Sequence, residues 1–85
     1  MRHRANEKFW ALYEQLPKAI QQLADDNFAL LKRDARHPSL HFKKVGRMRS
    51  ARVGIHYRAV AVEDGSDMIW FWIGHHHEYD RLIGR

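Results

Sequence analysis

The run of apolar residues from Met68 to Ile73 constrains the fold of this chain more than any other stretch. Every position in the run is apolar, so a strand formed here needs cover on both of its faces. Gly74 ends the run, and three histidines, a glutamate and a tyrosine follow it directly. The sequence therefore predicts a rigid strand whose end holds several proton-transfer groups in place.

Length and composition indicate one small domain, and we expect residues 1–85 to form it. An apolar content of 45% argues against disorder, and the absence of cysteine excludes a disulfide framework and a thiolate metal site. No apolar run approaches the roughly 20 residues of a membrane span, and the first residues lack the apolar core of a signal peptide. We therefore expect a cytoplasmic protein without membrane association.

Basic residues dominate one long block of the sequence. The chain has 15 lysines and arginines against 10 acidic residues, and no acidic residue occurs between positions 36 and 62. The basic residues of this block are Arg36, Lys43, Lys44, Arg47, Arg49, Arg52 and Arg58. A solvated face usually mixes both signs of charge. The block is either a strand-rich region with basic exposed positions or a surface for a polyanion, and we favour the polyanion, either nucleic acid or an acidic protein segment.

Two helices are predicted in the first part of the chain. Asn6 is a suitable N-cap, and apolar residues at helical spacing predict a first helix over roughly residues 6–16. Pro17 interrupts this helix and suits the first turn of a second one. We expect the second helix to end at His37, because the residue before a proline is disfavoured in the helical region.

After Pro38 the hydrophobic period changes to that of β-strands. The alternation of apolar and polar residues at positions 40–43 predicts a strand ending near Val45, and residues 47–50 read as a basic connection. Residues 51–62 form either one long strand or a hairpin that turns at positions 54–56, and typical strand lengths favour the hairpin. The polar stretch 63–67 predicts another turn.

The predicted order of elements gives an α+β fold. We expect two N-terminal helices packed on one face of a four-stranded antiparallel sheet, followed by a short C-terminal tail or one helical turn. Strand alternation predicts that Trp70 and Trp72 share one face of the sheet. Because two helices cover only one face, we expect some of the apolar surface of this last strand to remain for a partner.

Arg58 lies in a predicted strand that has no other charged residue. A guanidinium on a half-buried face needs either a carboxylate partner or a function. The first alternative is an ion pair with a turn carboxylate such as Asp67. The second is a site for an anion such as phosphate, whose geometry matches the guanidinium fork. The residue alone does not decide between them.

Three interpretations apply to the consecutive histidines His75, His76 and His77. Consecutive residues of regular structure cannot all face one ion, so we predict no metal site and no cofactor here. Solvent-exposed histidines account for two of the three. The third interpretation is acid–base catalysis, because histidine exchanges a proton near neutral pH, and Tyr79 adds a phenol close by.

Together these residues suggest cleavage of a phosphodiester. A basic cleft binds the substrate, arginines stabilise developing negative charge, and the histidine and the tyrosine transfer protons. With RNA the nucleophile is the substrate's own 2′-hydroxyl, which requires neither a metal ion nor a protein nucleophile. For RNA binding we select Lys43, Lys44, Arg47 and Arg49, with only one of the two adjacent lysines on the substrate face.

Three segments of the sequence resemble the RelE/ParE superfamily of type II toxin–antitoxin toxins. These segments are Pro38–Lys44, Arg52–Ala59 and Trp70–Asp80. The pattern consists of a tyrosine–arginine pair on a central strand and an Ile-Gly-x-His-x-x-Tyr ending. The resemblance implies a small sheet backed by helices, a cognate antitoxin as partner, and mRNA, on or off the ribosome, as substrate.

In the ribonuclease branch the resemblance implies a catalytic set of Arg52, Arg58, His76 and Tyr79. Arg52 contacts substrate phosphate, Arg58 stabilises the scissile phosphate, and His76 lies where members have a catalytic arginine or histidine. The chain departs from the family in two respects. It is expected to begin almost directly in a helix rather than in a strand, and no carboxylate base occurs near Pro38 and Ser39.

Three classes of function follow from these observations. The first, which His76 and Tyr79 favour, is a metal-independent endoribonuclease toxin that cleaves mRNA and inhibits translation. The second is a non-enzymatic ParE-like toxin that binds a protein target such as DNA gyrase. The third is an inactive RNA-binding module of the same fold.

Overall fold

A five-stranded mixed sheet forms the centre of the structure, a computed structural model that describes residues 2–84. The elements in chain order are β1 (Arg2–Ala5), α1 (Glu7–Glu14), α2 (Lys18–Arg33), a short 3-10 helix (Pro38–Leu40), β2 (Lys43–Val45), β3 (Met48–Val53), β4 (Tyr57–Asp64), β5 (Asp67–His75) and α3 (His76–Leu82). Within residues 2–84 no helix is both long enough and apolar enough to cross a membrane.

The strand order is β1-β5-β4-β3-β2, with β1 parallel to β5 and every other pair antiparallel. The prediction of a four-stranded antiparallel sheet was therefore wrong, as was the prediction that the chain begins almost directly in a helix. The residues of β1 are mostly basic and show no apolar alternation, so no pattern indicated a strand. Tertiary contacts stabilise it instead: the indole N–H of Trp70 donates to Nδ1 of His3 at 3.1 Å.

The two N-terminal helices and the break at Pro17 are confirmed. The side chain of Asn6 accepts a hydrogen bond from the backbone N–H of Phe9 at 3.0 Å and so caps α1. The second helix ends at Arg33 rather than at His37, because Asp34 leaves the helical region with φ −152°.

Residues 40–43 were predicted to begin the first strand of the sheet, and this was wrong. Pro38 starts a 3-10 helix, and His41 then adopts a left-handed conformation with φ 44°, so β2 begins only at Lys43. The predicted basic connection at 47–50 was also wrong beyond Arg47, because β3 begins at Met48. The predicted hairpin at 54–56 is confirmed, and it joins β3 to β4.

One face of the sheet is covered by α1 and α2. The buried residues of this larger core are Ala24, Leu31, Leu40, Ala51, Val53, Ala59, Ala61, Met68, Trp70 and Ile73. Small side chains on β3 and β4 let the helices approach closely. At the hairpin, Gly54 has φ +67°, and a Cβ there would lie 2.5 Å from Cδ2 of Leu23. Helix α2 therefore packs directly on the turn between β3 and β4.

A bulge between Val60 and Ala61 changes which face the tryptophans occupy. Trp70 pairs with Ala61 and packs against α1 and α2, whereas Trp72 pairs with Val60 and packs on the opposite face. The prediction that both indoles share one face was wrong, because the bulge inverts the alternation. Both are buried, with exposures of 4% and 8%, so they do not form a surface for a partner.

Helix α3 covers part of the opposite face and is longer than the single turn predicted. Tyr79 packs there with Val60 and Trp72, and its hydroxyl donates to Oγ of Ser50 at 3.1 Å. A Cβ at Gly74 would lie 2.7 Å from the ring of Trp72, so glycine is required where the strand passes under this indole. The remainder of this face, beside α3, contains the candidate site.

Candidate active site

Two arginines lie directly opposite each other on neighbouring strands. Arg52 on β3 pairs in register with Arg58 on β4, and alternation places both on the face that α3 covers, with Ser50 and Val60. Like charges directly opposite each other destabilise a sheet. Burial lowers the pKa of Arg58, and the charge of Arg52 lowers it further. The local fold therefore tolerates an unfavourable concentration of positive charge.

Among residues 2–84, no carboxylate lies within 4.0 Å of either arginine. Nη1 of Arg58 donates to the backbone carbonyl oxygens of Tyr57, at 2.8 Å, and Ile55, at 3.3 Å. Asp67, the alternative partner proposed for Arg58, instead lies 3.4 Å from Arg4. The ion pair with Asp67 is therefore not formed. Burial still lowers the pKa of Arg58, although the charge of Asp80, from beyond 4.0 Å, partly opposes this effect. The anion site stays a prediction.

His41 is a candidate site residue that the sequence analysis missed. Its Nε2 lies 3.3 Å from Nη1 of Arg52. Arginine only donates hydrogen bonds, so Nε2 of the neutral ring accepts from Arg52 with its one lone pair, and Nδ1 carries the proton. The signal in the sequence was a histidine two residues before Lys43, but its contact with Arg52 depends on the β2–β3 register. This imidazole can accept a proton at Nε2 once Arg52 no longer donates to it.

His76 lies at the start of α3, next to Arg58. It is half-buried, and its backbone N–H donates to the carbonyl of His56 at 2.8 Å. Burial lowers the pKa of His76, as do the charges of His77, His75 and Arg58, while Asp80 opposes them. Four side chains thus follow one another across the sheet, in the order His41, Arg52, Arg58 and His76. We call them the His–Arg row.

Tyr79 lies below this row rather than within it. Its side chain is 4% exposed, and its hydroxyl is bound to Ser50 inside the smaller core. In this geometry the phenol fixes α3 against β3 and so positions His76. The catalytic role of Tyr79 that the family resemblance implies stays a prediction.

Of the four residues selected for RNA binding, Lys43 lies on the face of the His–Arg row. Lys43 pairs with Ser50, whereas Lys44 pairs with Arg49 and points to the face of α1 and α2. Arg49 forms an ion pair with Glu63 at 2.8 Å, and Arg47 is exposed at the turn between β2 and β3. The structure therefore separates the four residues onto two faces and a turn.

Three histidines come together at the end of β5. Nitrogen atoms of His56, His75 and His76 all lie within 4.8 Å of one another, a spacing from which side-chain rotation can reach a metal ion. The sequence analysis considered only consecutive histidines and missed His56, which the β3–β4 turn brings to the group. The His76 ring also lies 4.2 Å from that of His77, centroid to centroid.

Comparisons with known proteins concern the fold. No protein-family model matches the sequence, and no curated protein sequence matches it either. A chain of the RelB–RelE antitoxin–toxin complex from Methanococcus jannaschii is similar in structure at a TM-score of 0.71 and 16% identity, with 92% of this chain and 95% of that chain covered.

Two further solved structures are similar over most of their length. The YoeB/ParE toxin from Agrobacterium tumefaciens matches at a TM-score of 0.68 and 19% identity, with 89% of this chain and 99% of that chain covered. The RelBE2 toxin–antitoxin complex from Mycobacterium tuberculosis matches at 0.65 and 20% identity, with 87% and 88% covered. The chain therefore shares the fold of these proteins.

Proposed function

We propose that this chain, which has the fold of the RelE/ParE toxins, is the toxin of a type II toxin–antitoxin system and cleaves mRNA without a metal ion. One observation supports this activity above the others. Arg52 and Arg58 face each other without a carboxylate partner among the described residues, and a histidine lies at each end of the pair. This arrangement suits a phosphodiester, whose charge offsets the repulsion between the arginines.

The two arginines bind the scissile phosphate. Each guanidinium offers several N–H donors in a planar fork that matches two phosphate oxygens. Nε of Arg52 is buried and has no hydrogen-bond partner among residues 2–84, so the terminal nitrogens of this guanidinium are the ones that contact phosphate. The arginines therefore hold the phosphorus between His41 and His76 and stabilise the negative charge that grows on its oxygens.

The reaction is a transesterification within the RNA. When RNA binds, Nη1 of Arg52 turns from Nε2 of His41 to a phosphate oxygen, and the freed lone pair of Nε2 takes the proton of the 2′-hydroxyl. The 2′-oxygen forms a bond to phosphorus, and the bond to the 5′-oxygen breaks. His76 gives a proton to the departing 5′-oxygen. The products are a 2′,3′-cyclic phosphate and a 5′-hydroxyl. The negative charge of bound RNA raises the pKa of His76 and so opposes the effect of Arg58 on the free protein.

The proposed partner is a cognate antitoxin. Two of the three structural neighbours described above come from toxin–antitoxin complexes, and the acid-free block at 36–62 suits an acidic segment. The exposed aromatic residues that such a partner can cover are Trp10 and Phe28 on α1 and α2, with exposures of 49% and 39%. A toxin that acts on mRNA and is restrained in this way works in the cytoplasm.

The direct test is incubation of the tag-free protein with mRNA in EDTA, and separately with ribosomes in Mg²⁺, because EDTA dissociates ribosomes. We expect cleavage that EDTA does not reduce, and products ending in a 2′,3′-cyclic phosphate, which mass spectrometry detects. Cleavage of ribosome-free mRNA only with added Mg²⁺, or ends bearing a 3′-hydroxyl, would contradict this mechanism. Failure to cleave any RNA would favour the ParE-like alternative, a toxin that binds a protein target such as DNA gyrase.

The adjacent lysines on β2 provide a matched pair of variants. Lys43→Ala is expected to weaken binding of single-stranded RNA, because Lys43 lies on the face of the His–Arg row. Lys44 lies on the other face, so Lys44→Ala should leave RNA binding unchanged. One lost phosphate contact makes the negative slope of log K against log salt less steep by about 0.7. Fluorescence anisotropy across a salt series measures this slope. Equal effects of the two variants would contradict the assigned faces.

A further inference from the structure

We propose that His56, His75 and His76 bind a divalent transition-metal ion and that an ion bound there blocks RNA cleavage. The three residues place nitrogen atoms within 4.8 Å of one another. The binding half of this proposal stands on the geometry of the three side chains. The inhibitory half rests on the function proposed above, because it requires His76 to be the group that protonates the leaving oxygen.

The backbone holds the three histidines together. The N–H of His76 donates to the carbonyl of His56 at 2.8 Å, which ties the β3–β4 turn to the start of α3. His75 pairs in register with Tyr57, the residue after His56. The rings of His56 and His75 are stacked at 5.9 Å with an interplanar angle of 4°. Only side-chain rotation is therefore needed to bring three nitrogens to one ion.

The ligand type indicates which ions fit. Imidazole suits Zn²⁺, Cu²⁺ and Ni²⁺, whereas Mg²⁺ and Ca²⁺ require oxygen ligands. Bonds of about 2.0–2.1 Å to a tetrahedral Zn²⁺ place ligand nitrogens about 3.3 Å apart, so the rings must close inward somewhat. His56 is exposed, and His75 and His76 are half-buried, so these rings have room to turn. Three protein ligands leave a fourth position for water.

Binding of a metal ion to His75 removes one hydrogen bond at the start of α3. Nδ1 of His75 accepts a hydrogen bond from the backbone N–H of His77 at 3.3 Å. A metal ion on Nδ1 takes that lone pair, and a metal ion on Nε2 requires the proton to move to Nδ1, so the cap is lost in either case. The hydrogen bond is long, and the positive charge of Arg58 also opposes the cation. The free energy of three metal–nitrogen bonds must exceed the cost of losing this hydrogen bond together with the repulsion from Arg58.

A bound ion removes the proton donor of the proposed reaction. A metal-bound imidazole uses a ring lone pair for the metal, and it can no longer become the imidazolium that gives a proton to the 5′-oxygen. The ion also lies beside Arg58, where it obstructs the path of the RNA backbone. The same three residues would thus make a metal-independent nuclease sensitive to inhibition by a transition metal.

The binding half is tested by titrating the tag-free protein with Cu²⁺ in the absence of RNA, with the N-terminal amine acetylated because a free amine and His3 together bind Cu²⁺. We expect d–d absorption and nitrogen hyperfine splitting in the EPR spectrum, and no heat of binding with Mg²⁺ as the control ion. His56→Ala should weaken Cu²⁺ binding by more than the roughly 10–100-fold that loss of an outer-shell partner costs a metal site. His77→Ala, outside the group, should retain it. Equal Cu²⁺ affinity in His56→Ala and the wild type would overturn the site.

The inhibitory half is tested by RNA cleavage in Zn²⁺ and in EDTA. The wild type should cleave RNA more slowly in Zn²⁺ than in EDTA. For His56→Ala, the ratio of the rate in Zn²⁺ to the rate in EDTA should be closer to one. Stimulation by Zn²⁺, or equal inhibition of both proteins, would overturn this half. A chain that cleaves no RNA would overturn the proposed function and the inhibitory half together, whereas the Cu²⁺ titration would still decide the binding half. The side chain of His56 is exposed, so His56→Ala is expected to fold.

Discussion

Replacing Arg58 with alanine is expected to reduce the rate of RNA cleavage by about 10²–10³-fold, the usual cost of removing one donor that stabilises transition-state charge. Arg58 lies opposite Arg52 and next to His76, so its guanidinium is in position to bind the phosphate oxygens on which charge grows. Single-turnover rates at saturating protein measure this loss separately from RNA binding. A rate within a few-fold of the wild type would remove Arg58 from the reaction.

The same substitution should leave the fold intact. Among residues 2–84, the guanidinium of Arg58 donates only to backbone carbonyls of its own hairpin, and it repels Arg52 across the strand pair. Its removal therefore relieves a like-charge contact, and we expect the free energy of unfolding to change by less than about 1 kcal/mol. Urea unfolding measures this value. A large loss of stability would indicate a structural arginine instead.

Two variants make the interpretation of Arg58→Ala more specific. Arg58→Lys keeps the charge and loses the planar fork, so it should recover only part of the rate if two phosphate oxygens are bound at once. Arg49→Ala removes an arginine from the opposite face of β3, where Glu63 already pairs with it. That variant should cleave RNA nearly as fast as the wild type, which would exclude an effect of net charge alone.

The elements that could be predicted from the sequence are those whose residues show a period. The helices and the hairpin at 54–56 followed from apolar spacing and from turn residues. Strand β1 could not be predicted, because its pairing with β5 supplies the stabilisation that its own residues lack. The bulge was also hidden: its extra residue, Phe71 on β5, lies in a run in which every residue is apolar and suits either face.

Only part of the candidate site could be predicted from the sequence, again because some of its contacts depend on the tertiary structure. The family resemblance selected Arg52, Arg58 and His76, which the structure brings together. His41 and His56 were missed because their neighbours are distant in the sequence. His41 contacts Arg52 because of the register of β2 on β3. His56 lies beside His76 because a backbone hydrogen bond joins the β3–β4 turn to α3. Neither contact leaves a local pattern in the chain.

His76→Ala is expected to reduce cleavage by about 10²–10⁴-fold, the contribution of a general acid. A substrate with sulfur in place of the 5′-oxygen separates this role from a structural one. The thiolate departs without a proton, so His76→Ala should cleave this substrate nearly as fast as the wild type does. His41→Ala should remain slow on both substrates, because the 2′-hydroxyl must still lose its proton.

This pair of substrates tests the direction of proton transfer along the His–Arg row. If the sulfur substrate restored His41→Ala and not His76→Ala, the two histidines would have the opposite roles, with His76 as the base. That outcome would also agree with the lowered pKa of His76, which leaves more of the neutral imidazole in the free protein. If the sulfur substrate restored neither variant, both histidines would bind or orient RNA, and the proton of the leaving oxygen would come from water.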